Sequence, residues 1–162
     1  MKKRFILAFV LTALGGCALH FAYPLLPYPL VGLFAPVSES VWEHLKLLFW
    51  PFLLAAFILT RRQTDALRVW SGFLSALFLM PAGLLGVRYV LADGFCVQSV
   101  FLDVALYVLA LAGGFALSWR LWKTGRAAFA SGVLVIFAGL YGSALVLFTM
   151  APPQLPIFLP GR

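Results

Sequence analysis

Residues 36–46, with the sequence PVSESVWEHLK, hold an unusual concentration of ionisable side chains for so apolar a chain. Glu39 and Glu43 are four residues apart and Lys46 follows three residues later, so on a helix the three share one face. His44 lies beside that face. Ionisable groups inside a membrane helix are costly and usually serve a function. Carboxylates next to an imidazole can pass protons in coupled steps or hold a divalent metal ion.

A purely structural interpretation explains part of the same segment. Ser40 and Glu43 have the spacing of a capping box, in which Ser40 caps the start of a helix and Glu43 reaches back to the backbone N–H of Ser40. Trp42 suits the aromatic belt at a membrane surface. Capping leaves the other three ionisable residues of the segment without an explanation.

The composition decides which kind of element must position these side chains. Of the 162 residues, 64% are hydrophobic and 10% are charged, and the mean hydropathy is +1.03. A soluble domain carries about 25% charged residues, because its surface has to be solvated by water. The chain is therefore predicted to be an all-α integral membrane protein, a single transmembrane domain over residues 1–162 with the lipid bilayer as its main partner.

Uncharged stretches long enough to span a bilayer predict a bundle of about five transmembrane helices. They lie near 5–23, 41–60, 69–91, 98–119 and 127–151. Nine basic residues fall on one side of the predicted bundle: Lys2, Lys3, Arg4, Arg61, Arg62, Arg68, Arg120, Lys123 and Arg126. This asymmetry predicts a cytoplasmic N-terminus and a C-terminus outside. It also accounts for the net charge of +7, so no nucleic-acid partner is predicted.

In this topology, further ionisable side chains reach the outer half of the bundle. His20 ends the first span, Arg88 lies near the outer end of the third, and Asp103 lies about one and a half turns into the fourth. Because these residues come from independent helices, we predict one polar site that binds a ligand or relays protons. Its residues are His20, Glu39, Glu43, His44, Lys46, Arg88 and Asp103. Alternatively, Arg88 and Asp103 form only a buried ion pair that fixes the helix arrangement.

Three classes of function are compatible with such a site. The first is a ligand- or ion-binding protein, such as a transport-related component; with only five helices, a transporter would need a homo-oligomer or a membrane partner. The second is an intramembrane metal-dependent enzyme, in which His20 and His44 with Glu39 or Glu43 bind a divalent metal ion and the second acid is a general base. The third is an accessory or assembly subunit, in which the polar cluster only holds the bundle together.

The first span has an alternative interpretation as a lipoprotein signal peptide. Three basic residues precede an apolar run that ends in Leu14-Gly15-Gly16-Cys17, and cleavage there would leave Cys17 lipidated and four spans. However, the apolar run continues past Cys17 to Tyr23. An uncleaved first helix is therefore favoured.

The pair His20-Phe21, followed by residues 34–47 (FAPVSESVWEHLKL), resembles the signature of a family of small, uncharacterised bacterial membrane proteins. The resemblance covers the first two spans by motif, PV(N/S)ESVWEHLKL, and the later spans only by hydropathy. Members of that family often have Asn where this chain has Ser38. The resemblance implies a multi-pass protein of the bacterial cytoplasmic (inner) membrane, and it implies no activity.

Overall fold

A computed structural model describes residues 2–61, 63–97 and 99–159. Their regular structure is helical, with no β-strand among them. The α-helices are α1 (Lys2–His20), α2 (Ala22–Leu25), α3 (Pro29–Gly32), α4 (Val41–Thr60), α5 (Ala66–Tyr89), α6 (Val100–Thr124) and α7 (Ser131–Met150); a π-helical turn covers Val90–Gly94, and 3-10 turns cover Ala128–Ala130 and Pro156–Phe158. Among these described residues, five helices (α1, α4, α5, α6 and α7) are long and apolar enough to cross a membrane. The predicted all-helical class and the predicted number of helices that could span a membrane are confirmed.

The start of α4 follows directly from its sequence. Ser40 has an extended backbone, and its hydroxyl oxygen accepts the backbone N–H of Glu43 at 3.3 Å. The predicted N-cap is therefore confirmed. The second half of the predicted capping box is wrong, because the Glu43 carboxylate accepts the backbone N–H of Val37 at 2.9 Å and not that of Ser40.

The end of α6 lies beyond the predicted apolar stretch. The helix continues to Thr124, and Lys123 places its ammonium group 5.0 Å from the ring centre of Trp119. A cation in the last turn also interacts favourably with the carboxyl end of the helix. Gly125 then ends the helix with φ 65°, in the left-handed region that glycine adopts without strain, and its N–H donates to the Leu121 carbonyl at 2.8 Å.

Aromatic rings fill the core of the bundle near the N-terminal end of α1. Phe52 of α4, Phe73 of α5 and Phe115 of α6 lie with their ring centres 5.0–5.6 Å apart. Phe5 of α1 packs against Phe73 at 5.8 Å and against Trp119 at 4.8 Å. Such tilted and edge-to-face pairs add to the stability that apolar burial gives. This end of the bundle is closed by close-packed rings.

Large apolar side chains also cover the outside of the long helices. Exposed examples on α1, α6 and α7 include Ile6, Leu7, Leu11, Leu14, Phe101, Leu109, Val133, Ile136 and Leu140. Exposing so continuous an apolar surface to water would be unfavourable, whereas contact with lipid is not. The exterior therefore fits a bilayer environment, as the composition predicts.

The helices α5 and α6 approach each other closely at Gly72. A Cβ atom added there would lie 2.8 Å from the backbone carbonyl oxygen of Ser118, closer than real Cβ contacts allow. The Ser118 hydroxyl donates to the Gly114 carbonyl within α6 at 2.8 Å. Small residues let membrane helices pack backbone to backbone in this way.

We predict that Gly72→Ala destabilises the bundle, by about 1–3 kcal/mol, because α5 and α6 must move apart. The unfolding midpoint of the purified protein in detergent should fall. Gly83→Ala on the same helix is the matched control, because nothing lies within 4 Å of its added Cβ. A Gly72→Ala protein as stable as the Gly83→Ala protein would contradict the close approach.

Candidate functional site

The seven ionisable residues singled out in the sequence lie in two separate groups. Glu43 and Lys46 form a buried pair inside the bundle. The other five line one cavity: His20, Glu39, His44, Arg88 and Asp103. The separation arises because α4 begins at Val41, so Glu39 precedes the helix and does not share a helical face with Glu43 and Lys46 as predicted.

Lys46 is completely buried, and oxygen atoms surround its ammonium group. Its Nζ donates to a carboxylate oxygen of Glu43 at 2.7 Å, to the carbonyl of Gly32 at 2.7 Å and to the carbonyl of Ala35 at 3.3 Å. All three ammonium protons thus have an acceptor, as a charge buried among apolar side chains requires.

The Glu43 carboxylate is equally well satisfied. One oxygen accepts from Lys46 and from the Val37 backbone N–H, and the other accepts from the Thr149 hydroxyl of α7 at 2.9 Å. The sequence grouped Glu43 with the histidines as a metal ligand, but both of its oxygens have partners away from them. Nothing in the sequence indicates that Thr149 is a partner of Glu43, because this threonine lies in an almost entirely apolar helix.

A cavity of about 700 Å³ opens at the opposite end of the bundle from Phe5, between α1, α4, α5 and α6. At its floor α1 and α6 meet where Gly16 faces Tyr107; the phenol oxygen lies 3.4 Å from the Ala13 carbonyl. His20 is one turn beyond Gly16 on α1, and Asp103 is one turn before Tyr107 on α6. The ionisable groups therefore form the walls above the contact between these two helices. Cys17 and Ser99, which the sequence analysis left out of the site, also line the cavity.

His20, Glu39 and His44 bring three potential metal ligands together. One nitrogen of each imidazole and one oxygen of Glu39 lie within 4.8 Å of one another. Nε2 of His44 is 3.4 Å from the Glu39 carboxylate, and the two imidazole centres are 5.2 Å apart. The three residues come from α1, from the segment before α4 and from α4 itself.

Each of the two imidazoles has a ring nitrogen that is available to a ligand. Nδ1 of His44 is 2.8 Å from the Ser40 carbonyl, which can only accept, so this nitrogen carries the proton and Nε2 of a neutral ring has the lone pair. Nδ1 of His20 is buried and has no hydrogen-bond partner among the residues that the structure describes. Buried polar atoms are rarely left in this way.

Arg88 and Asp103 form an ion pair on the other wall of the cavity. The two side chains are 29% and 46% exposed, so this pair is open to the cavity, unlike the buried pair of Glu43 and Lys46. The ion pair allowed by the sequence is therefore present, but it is not a buried one.

Comparisons with known proteins give a family and no function. Over residues 1–161 the chain matches the model described as "Family of unknown function (DUF6512)", and it therefore belongs to that family. This agrees with the resemblance to an uncharacterised family, although the match concerns the whole chain and not the segment 34–47. No curated protein and no solved structure matches the chain.

We predict that Lys46→Met destabilises the protein by about 3–5 kcal/mol, because it leaves the Glu43 carboxylate buried without its counter-charge. Arg88→Met is the matched control; its pair with Asp103 is partly exposed, so about 1 kcal/mol or less is expected. Unfolding midpoints in the same detergent measure both. If Arg88→Met lowered the midpoint as much as Lys46→Met, the buried pair would not have the structural role assigned to it.

Proposed function

We propose that this member of the DUF6512 family binds a divalent transition-metal ion through His20, Glu39 and His44, in the cavity at one end of the bundle. The observation that carries the proposal is the convergence of three ligand atoms from three chain segments to within 4.8 Å. Imidazole nitrogens with one carboxylate oxygen are a donor set that zinc and its neighbours prefer.

The distances within the group support this choice of ligand. Tetrahedral zinc with bonds of about 2.0–2.2 Å holds its ligand atoms roughly 3.3–3.6 Å apart. The separation of 3.4 Å between His44 Nε2 and the Glu39 carboxylate falls in that range. The hydrogen bond from His44 Nδ1 to the Ser40 carbonyl also supports the assignment. In metal sites the second ring nitrogen of a histidine ligand commonly donates to a carbonyl, which fixes the orientation of the ring.

Binding, and not passage across the membrane, is the proposed role of the cavity in a single chain. Beneath the cavity the described core is closed by buried side chains, including Leu111 and Phe52. Only three protein ligands are proposed, which leaves at least one coordination position for a water molecule or a ligand. Because catalytic zinc sites share that open position, a metal-dependent enzyme is the second candidate function.

The charge distribution supports an orientation in the bacterial inner membrane with the N-terminus in the cytoplasm and the cavity outside. An uncleaved α1 forms part of this proposal. The helix is continuous through Cys17, and Phe5 near its start belongs to the aromatic core. Removal of residues 1–16 would take away both Phe5 and the glycine that faces Tyr107.

We predict that the purified chain binds Zn²⁺ or Co²⁺ and that His20→Ala with His44→Ala abolishes this binding. The chain has only these two histidines, so an affinity tag without histidine is needed. Calorimetric titration with Zn²⁺ gives the stoichiometry, and the visible spectrum of bound Co²⁺ reports its geometry. Glu39→Gln should weaken binding by at least tenfold, because a neutral amide replaces the anionic ligand.

Two variants control for other ligands in the same cavity. Cys17→Ser and Asp103→Asn should keep the metal affinity close to that of the unsubstituted chain, since neither residue belongs to the proposed set. Retention of a stoichiometric metal ion by the double histidine variant, or no binding by the unsubstituted chain, would contradict the proposed function.

The orientation is tested with the two natural cysteines, both of which are exposed. In a Cys17→Ser background, we predict that a membrane-impermeant maleimide labels Cys96, between α5 and α6, from outside intact spheroplasts. Thr64→Cys in a chain without either natural cysteine is the control on the other side and should react only after lysis. The reverse labelling pattern would invert the proposed topology.

A further inference from the structure

We propose that the cavity receives the phosphate headgroup of an anionic amphiphile, which enters sideways from the lipid between the end of α1 and the start of α6. This inference rests on the metal site proposed above, because the metal ion supplies part of the attraction for the headgroup. Three features of the cavity support it: its charge, the N–H donors of Arg88 that have no acceptor among the described residues, and the apolar nature of one of its sides.

The bound metal reverses the charge of the cavity. Among the described residues that line the cavity, and with neutral histidines, the carboxylates of Glu39 and Asp103 outweigh the guanidinium of Arg88, which leaves one net negative charge without the metal. A divalent cation turns this into one net positive charge, and a metal ion is often the largest local charge in such a site. The loaded cavity therefore attracts an anion, whereas the metal-free cavity repels one.

Arg88 offers a second point of attachment for that anion. One of its terminal nitrogens contacts one oxygen of Asp103, and among the described residues the guanidinium has no other partner. Among the described residues, its remaining N–H donors therefore have no acceptor, and the side chain lines the cavity. The planar fork of arginine matches the oxygens of a phosphate and binds them in pairs.

One side of the cavity is apolar and faces outward. Phe21, Val100 and Val104 line the cavity, yet they are 61%, 81% and 52% exposed. α1 and α6 touch lower down, where Gly16 meets Tyr107, so above that contact the gap between them is bordered by apolar side chains. In a bilayer this gap faces lipid, and an acyl chain can occupy it while the headgroup lies among the ionisable residues.

The inner walls of the cavity, on the side of the protein core, are apolar as well. Leu45, Leu48 and Leu84 line the cavity on the sides of α4 and α5. A volume of about 700 Å³ falls within the usual range for ligand pockets, about 300–1,000 Å³. A small soluble anion would leave these apolar walls uncovered, which favours a ligand with a polar head and an apolar chain.

Titrations in a neutral maltoside detergent test the proposal on the full chain. The probes are short-chain phosphatidic acid, phosphatidylcholine with the same chains, and inorganic phosphate, each with and without Zn²⁺. Titrations into protein-free micelles are subtracted. We expect phosphatidic acid to bind at least tenfold more tightly with Zn²⁺ than without it, and at least tenfold more tightly than either other probe.

Substitutions separate the headgroup from the chain of the ligand. Arg88→Ala should weaken phosphatidic acid binding by at least tenfold, and Arg88→Lys should recover only part of it, because it keeps the charge and loses the fork. Val100→Trp should obstruct the lateral gap and weaken phosphatidic acid binding without affecting inorganic phosphate. Arg126→Ala, just beyond the opposite end of α6, should change the binding of neither probe. Unchanged unfolding midpoints show that the variants are folded.

The outcomes distinguish this inference from the proposed metal site. Equal binding of phosphatidic acid and phosphatidylcholine, or inorganic phosphate binding as tightly as the lipid, overturns the inference even when Zn²⁺ binds. Lipid binding that is independent of Zn²⁺ and unchanged by Arg88→Ala also overturns it. Failure of Zn²⁺ to bind in the absence of lipid overturns the proposed function itself.

Discussion

The buried ammonium group of Lys46 is the constraint on which this end of the bundle depends. No water reaches it, so its protons need protein oxygens. One oxygen comes from Glu43 on the same helix, but the carbonyls of Gly32 and Ala35 belong to the segment before α4. Lys46 can therefore be buried only when that segment folds back over the bundle. The path of residues 32–37 is therefore tied to the hydrogen bonds of this one ion pair.

The same hydrogen bonds position the candidate metal ligands. Glu43 also accepts the Val37 N–H and so fixes the bent segment before α4, whose last residue, Ser40, is extended and caps the helix. Glu39 is thereby left outside the helix, beside His44. Successive residues of a helix point about 100° apart, so Glu43 faces Thr149 of α7 while His44 faces His20 of α1. Two adjacent residues of α4 thus have different roles: Glu43 belongs to the buried ion pair with Lys46, and His44 lines the cavity.

The sequence predicts the parts of this arrangement that depend on composition and on local spacing. Apolar stretches indicate the five long helices, and the short-range pattern at Ser40 predicts the start of α4. The partners of Lys46 could not be predicted, because backbone carbonyls carry no residue-specific signal. The grouping of Glu39 with Glu43 and Lys46 was wrong because it assumed helix before the cap. His20 lies beside His44 because of the way α1 packs against α4. Hydropathy predicts only that the two residues lie at a similar depth, and not that their helices are in contact.

The candidate metal site would also stabilise the packing of α1. Among its described residues the buried side chains are few: Phe5 and Thr12, with Gly16 following one turn later on the same stripe. Lipid tails are as apolar as this helix surface, so burial alone holds α1 weakly. A metal ion shared by His20 and His44 would bind only the packed arrangement and would stabilise it by mass action. Metal binding in the cavity and the packing of α1 against α4 are then coupled, because both depend on the same two imidazoles.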